Sequence, residues 1–179
     1  MPISFKAIFD DTQTALKDAP DQANAWFEAQ TRLGEGFNST AAIRQFTLHV
    51  DEPAGLGGKD SAPTPVEYVL TALGSCQEIT YRLYADALGI PLSSVSVKLR
   101  GLVDLAGFFA ADEKVRPGFQ RIEAEVTLES SASDDELRKL KETVDRHCPV
   151  LDILRNPTPV ALTSSIVRGG AGSAIEQAA

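Results

Sequence analysis

The sequence predicts an α+β fold, with two long helices laid on antiparallel sheet, and three observations carry that expectation. Thr64-Pro65-Val66-Glu67 and Ser133-Asp134-Asp135-Glu136 are capping boxes, and each opens a stretch with apolar residues at helical spacing. Residues 25–33, 43–50, 95–100 and 122–129 instead alternate between two faces with period two. Sequential strands with turn signals between them favour antiparallel pairing, with both helices on one sheet face.

Residues 4–18 read as a short amphipathic helix with Ile8, Thr12, Ala15 and Leu16 on one side, ended by Ala19-Pro20-Asp21. Residues 25–33 read as a strand in which Phe27, Ala29, Thr31 and Leu33 alternate with Trp26, Glu28, Gln30 and Arg32. Gly34-Glu35-Gly36 turns it into a partner strand that runs to Val50. One face of that partner carries Arg44, Phe46, Leu48 and Val50, the other Ile43, Gln45, Thr47 and His49. The loop over residues 51–63, with Pro53, Pro63, Gly55, Gly57 and Gly58, is long enough to serve as a lid or a subunit contact.

The first long helix has Thr64 as N-cap and Pro65 at its first position, and it stops near Leu88 at Gly89-Ile90-Pro91. Its first three turns are apolar nearly all round, the mark of a buried helix. Two strands follow, separated by a segment ending in the turn Arg116-Pro117-Gly118. The second long helix sets Leu137, Leu140, Val144 and Cys148 on one face. A last strand near residues 160–167 precedes a Gly/Ala-rich tail.

Composition narrows the function. A net charge of -8 argues against nucleic acid and anionic membrane as partners, because both attract clustered Lys and Arg. The N-terminus lacks a basic segment followed by an apolar one, and no apolar run approaches the roughly 20 residues of a membrane span. A cytoplasmic, reducing location is expected. Two cysteines are too few for a disulfide scaffold, so a thiol pair there points to chemistry before stapling.

Cys76 shares a helix face with Val69, Ala72, Leu73, Ile79, Thr80 and Leu83. Taken by itself it reads first as a buried structural thiol. Cys148 lines the core stripe of the second helix, and Pro149 directly after it forces a break, which suits a mobile resolving thiol. Each can also be a small core filler. A reactive thiol must ionise, and Cys76 lies too deep in its helix for the N-terminal dipole to help much, so a cation is needed. Arg44, on the apolar side of its strand, is the candidate; the competing reading has it snorkelling at an exposed strand end. Glu67 is tempting as a catalytic carboxylate, but it precedes Cys76 by nine residues, half a turn out of phase, and the capping box already employs it. His49, His147 and the two cysteines lack paired metal-ligand spacing, so no metal is expected.

These residues resemble the OsmC/Ohr family of osmotically inducible and organic hydroperoxide resistance proteins. The matching stretches are Val50-Asp51-Glu52-Pro53 with Leu56-Gly57-Gly58, then Thr64-Pro65-Val66-Glu67 through Ala72-Leu73-Gly74-Ser75-Cys76. Arg146-His147-Cys148-Pro149-Val150 and Arg155-Asn156-Pro157 complete the set. The resemblance spans residues 25–168, leaving a helical extension over 1–24 and a flexible tail over 169–179. It implies an intertwined homodimer with the long helices central and the active sites at the subunit interface. It also implies a thiol peroxidase acting on small organic hydroperoxides, with Cys76 forming a sulfenic acid and Cys148 resolving it. The resemblance implies no bound cofactor, and an external dithiol of lipoyl type returns the thiols. Two positions depart from the hydroperoxide branch: Val66 stands where that branch has its catalytic Glu, and Thr31-Arg32-Leu33-Gly34 replaces Gly-Gly-Arg at the first hairpin. The departures favour a second reading, a redox-silent small-molecule-binding dimer with structural cysteines.

Overall fold

The computed structural model describes residues 5–167 and the backbone of residues 175–176. In chain order the elements are helix α1 (Phe5–Asp18), strands β1 (Gln30–Leu33), β2 (Ser39–Ile43) and β3 (Phe46–Val50), and helix α2 (Pro65–Leu88). Strand β4 (Ser94–Val103), short helix α3 (Leu105–Phe108), strand β5 (Phe119–Glu129) and helix α4 (Asp134–His147) follow. Helix α5 (Pro149–Arg155) and the strand pair β6 (Ser165–Ile166) and β7 (Ile175–Glu176) complete the described chain. All strand pairs are antiparallel, in sheets ordered β1-β2-β3, β4-β5 and β6-β7. The fold is thus α+β, as the alternation and the capping boxes predict.

Helix α2 organises the molecule, packing against β4 on one side and α4 on another. Gly74 brings it close to the sheet: a Cβ there would stand 2.8 Å from Leu99 Cδ1 of β4. The core joins Tyr81 and Ala85 of α2 to Leu140 and Val144 of α4, with Ile90 and Leu92 from the connection. Val95, Val126 and Leu128 of the β4-β5 ribbon close it from below. The apolar stripe read for α4 is therefore the face that is buried.

Four local expectations are corrected. Residues 25–33 form a strand only over Gln30–Leu33, because β2 offers partners to just those four residues. Trp26 and Phe27 are left 94% exposed. Residues 43–50 are not one strand: Ile43 pairs with Phe46, and Arg44-Gln45 form a two-residue turn between β2 and β3. A tight hairpin needs positive φ at its centre, and Arg44 adopts φ 53° without the Gly or Asn that would have signalled it. Of the strand expected over 160–167, only Ser165–Ile166 is formed. On α1 the expected stripe stays exposed at Ile8 and Leu16, and Phe9 makes the packing contact instead. The tail expected to be flexible, residues 169–179, lies outside the described residues apart from the backbone of 175–176.

The loop over 51–63 is built around one buried carboxylate. Asp51 is 1% exposed. Its Oδ1 accepts from the Glu52 N–H at 2.9 Å, and its Oδ2 accepts from the Lys59 and Ser61 N–H groups at 3.1 Å and from Ser61 Oγ at 2.7 Å. Gly58 is obligatory at the fold-back, since a Cβ there would stand 1.8 Å from the Glu52 carbonyl oxygen. The donors, Ser61 foremost, hold the Asp51 carboxyl down at about 2. Because the folded value lies below the ordinary one of 3.8, Asp51 stabilises the fold fully above that ordinary value, and the contribution fades as pH falls towards 2. Asp51→Asn, which sets an NH2 against these donors, should lower the unfolding temperature near neutral pH. The gap to wild type should shrink as pH is lowered from 4 towards 2, as thermal melts across that range would show.

Candidate active site

The two helices that carry the cysteines begin as their sequences require. Thr64 Oγ1 accepts from the Glu67 N–H at 3.3 Å, and Glu67 Oε2 accepts from the Thr64 N–H at 2.7 Å. Ser133 and Glu136 repeat the arrangement at the start of α4. The α2 cap fixes the phase of the helix. Gly74 then faces β4, and Cys76, about 200° further round, faces away from the sheet and stays half-buried.

Cys148 sits at the break between α4 and α5. Its N–H still donates to the Val144 carbonyl, closing α4, while its ψ of 112° leaves the helix and Pro149 starts the next one. The side chain is 1% exposed. Two residues 72 apart in sequence thus converge: the Cys148 thiol points at Cys76, with the sulfurs 3.3 Å apart. A disulfide needs about 2.05 Å, so bond formation asks for little more than one ångström of closure.

The thiols stand in unequal surroundings. Burial pushes the Cys148 thiol up, and the neighbouring Cys76 sulfur adds to the effect. Two donors oppose this, the Leu151 N–H in the first turn of α5 and the Gln77 amide. The Leu151 N–H faces the sulfur without closing a formed cap bond. Cys148 is accordingly kept as a thiol, a donor beside the more accessible Cys76. Gln77, 4% exposed, and Leu151 were missed by sequence reasoning. A glutamine on a buried arc needs a partner, and a Cys-Pro start aims the third N–H of the new helix at the Cys, so both signals were present.

The remaining candidates are not gathered at the thiols. Glu67 is committed to Thr64 and stands nine residues, roughly 13 Å along the axis, before Cys76. Arg44 is exposed at its turn, and among the described residues its guanidinium meets only the Phe46 ring, 5.1 Å from the centroid. The strand parity that singled it out does not exist. Of the histidines, His147 stacks on Tyr84 with centroids 5.2 Å apart. Among the described residues no three His, Cys, Asp or Glu side chains cluster as a metal site, and no described helix is long and apolar enough to cross a membrane.

A groove of about 630 Å³ lies between α2, β5, α4 and α5, and neither cysteine lines it. Leu73, Ile122 and Val126 line it, Arg116 and Arg155 contribute cations, and Gln77 and Leu151 connect it to the Cys148 side.

Comparison with known proteins agrees with this fold. A family model described as OsmC-like protein matches residues 58–163, more than half of the chain. Among solved structures, an OsmC-like protein from Mycoplasma pneumoniae is similar at 20% identity and a TM-score of 0.65, covering 75% of this chain and 90% of that one. An organic hydroperoxide resistance protein OsmC from Legionella pneumophila is similar at 19% identity and a TM-score of 0.57, covering 74% and 92%. One from Elizabethkingia anophelis, also an organic hydroperoxide resistance protein, has 18% identity, a TM-score of 0.56 and coverage of 76% and 92%. At these identities the likeness is one of fold. No curated protein matches the chain.

Proposed function

Because this chain belongs to the OsmC-like protein family, we propose that it is a thiol peroxidase for organic hydroperoxides, working through Cys76 and Cys148. The observation that carries the proposal is the thiol pair, 3.3 Å apart and unequally exposed. The Cys76 thiolate attacks the distal peroxide oxygen, the O–O bond breaks, and the products are Cys76 sulfenic acid and an alkoxide that leaves as the alcohol. Cys148 sulfur then attacks the Cys76 sulfur, forming the disulfide and releasing water. An external dithiol, of lipoyl type, reduces the disulfide by exchange and is itself oxidised. No bound cofactor or metal takes part, and the setting is the reducing cytoplasm.

The working unit in this proposal is a homodimer. Trp26 and Phe27 at 94% exposure and Ile79 at 69%, on the Cys76 side of α2, are the apolar surface a second copy would cover. In this proposal the second copy also supplies the activating cation, Arg44, whose guanidinium among the described residues of its own chain meets only the Phe46 ring. Arg44→Ala should then shift the curve of Cys76 alkylation rate against pH to higher pH, and superimposed curves would remove Arg44 from the scheme.

The groove favours one other reading, a redox-silent protein that binds a small molecule there and keeps its cysteines for packing. Thiol titration before and after one equivalent of organic hydroperoxide separates the two. Loss of two thiols per chain supports the peroxidase, and no loss supports the binder.

A further inference from the structure

Helix α1 lies outside the family-matching residues 58–163, and no residue on it is fully buried, yet it is anchored at one particular place. The half-buried Phe9 meets Tyr84 of α2 edge to face, with centroids 5.4 Å apart and planes at 67°. Tyr84 in turn stacks on His147, at 5.2 Å and 21°. Lys6 Nζ adds a hydrogen bond to the Ala87 carbonyl at 3.4 Å. Three rings from three helices thus form one column, and it ends on the residue before Cys148, at the break between α4 and α5.

That break is where a resolving thiol must be held. Pro149 interrupts the helix there, so backbone hydrogen bonding does not carry α4 rigidly into α5. Leu140, Val144 and Cys148 itself are buried at this end of α4, and the exposed His147 adds a stacking contact to the last turn through Tyr84. We propose that α1 is a clasp for the resolving step: through Phe9, Tyr84 and His147 it holds the α4–α5 break so that Cys148 stays within bridging reach of Cys76. The three rings are positioning residues, since none touches a sulfur in the described contacts. The proposal rests on the peroxidase reading for its consequence, though not for the clasp itself.

Its test uses the full chain. In a Cys76→Ser background, adding Phe9→Ala should speed iodoacetamide alkylation of the buried Cys148 by about 2- to 10-fold, the range that loss of one aromatic pair allows. Phe9→Tyr should restore the slow rate. Equal rates with and without Phe9→Ala overturn the clasp, whatever the protein's activity. With both cysteines present, Phe9→Ala should leave the single-turnover loss of hydroperoxide unchanged and slow disulfide formation by a similar factor. Equal slowing of both steps would mean general destabilisation and would also overturn it. His147→Ala should mimic Phe9→Ala while leaving α1 intact, which guards against a variant that merely unfolds the extension. If wild type consumes no hydroperoxide, the peroxidase reading fails, while the alkylation arm still decides the clasp.

Discussion

Cys76→Ser should lower hydroperoxide consumption at least about a thousandfold, because no other group in the scheme can serve as nucleophile. Cys76 is the half-buried member of the pair, open to a solute, whereas Cys148 is 1% exposed and has its thiol pushed up by burial. Serine fills nearly the same volume and can still accept from the Cys148 thiol, so the fold should survive with a stability change under about 1 kcal/mol. The measurement is peroxide loss against time, with circular dichroism to establish that the variant is folded. Activity close to wild type would take Cys76 out of the mechanism and leave the two thiols as packing residues.

How much of this was legible beforehand depends on whether the signal was local. Thr64, Pro65, Glu67 and Gly89 mark α2 because caps are decided by residues within one turn of the helix end. The stripe Leu140, Val144, Cys148 was equally plain, since a 3.6-residue period survives in sequence whatever packs against it. Strand limits were not legible, because they depend on partners. Residues 25–29 alternate well, yet β2 pairs only with Gln30–Leu33. The Arg44 turn carries no glycine, so its positive φ had no mark in the sequence, and the parity argument built on one continuous strand failed with it.

The candidate site divides in the same way. The meeting of Cys76 and Cys148 followed from two helix faces, each readable by itself, that pack together. The Asp51 loop was not foreseen as a unit, because its donors come from Glu52, Lys59 and Ser61, and backbone N–H groups have no sequence signature. The aromatic column was invisible for a related reason. Phe9, Tyr84 and His147 lie on three helices, and only their mutual packing aligns the rings.

Cys148→Ser should separate the two chemical steps. Cys76 keeps its neighbours and its access, so the variant should still consume one equivalent of hydroperoxide per chain at close to the wild-type rate. What it loses is the thiol 3.3 Å away that would condense with the sulfenic acid. A serine hydroxyl at that distance can hydrogen-bond to the oxidised sulfur but cannot displace hydroxide from it to form a disulfide. The sulfenic acid should therefore persist, visible by mass as a gain of about 16 Da, and should advance to the sulfinic acid, about 32 Da, when hydroperoxide is in excess. Wild type under the same conditions should instead lose about 2 Da as the disulfide closes. Turnover with an added dithiol should fall in proportion to the share of Cys76 lost to over-oxidation, and lowering the hydroperoxide concentration should recover it. A variant that resists over-oxidation and turns over like wild type would show that reductant reaches the Cys76 sulfenic acid directly, and Cys148 would then lose its resolving role.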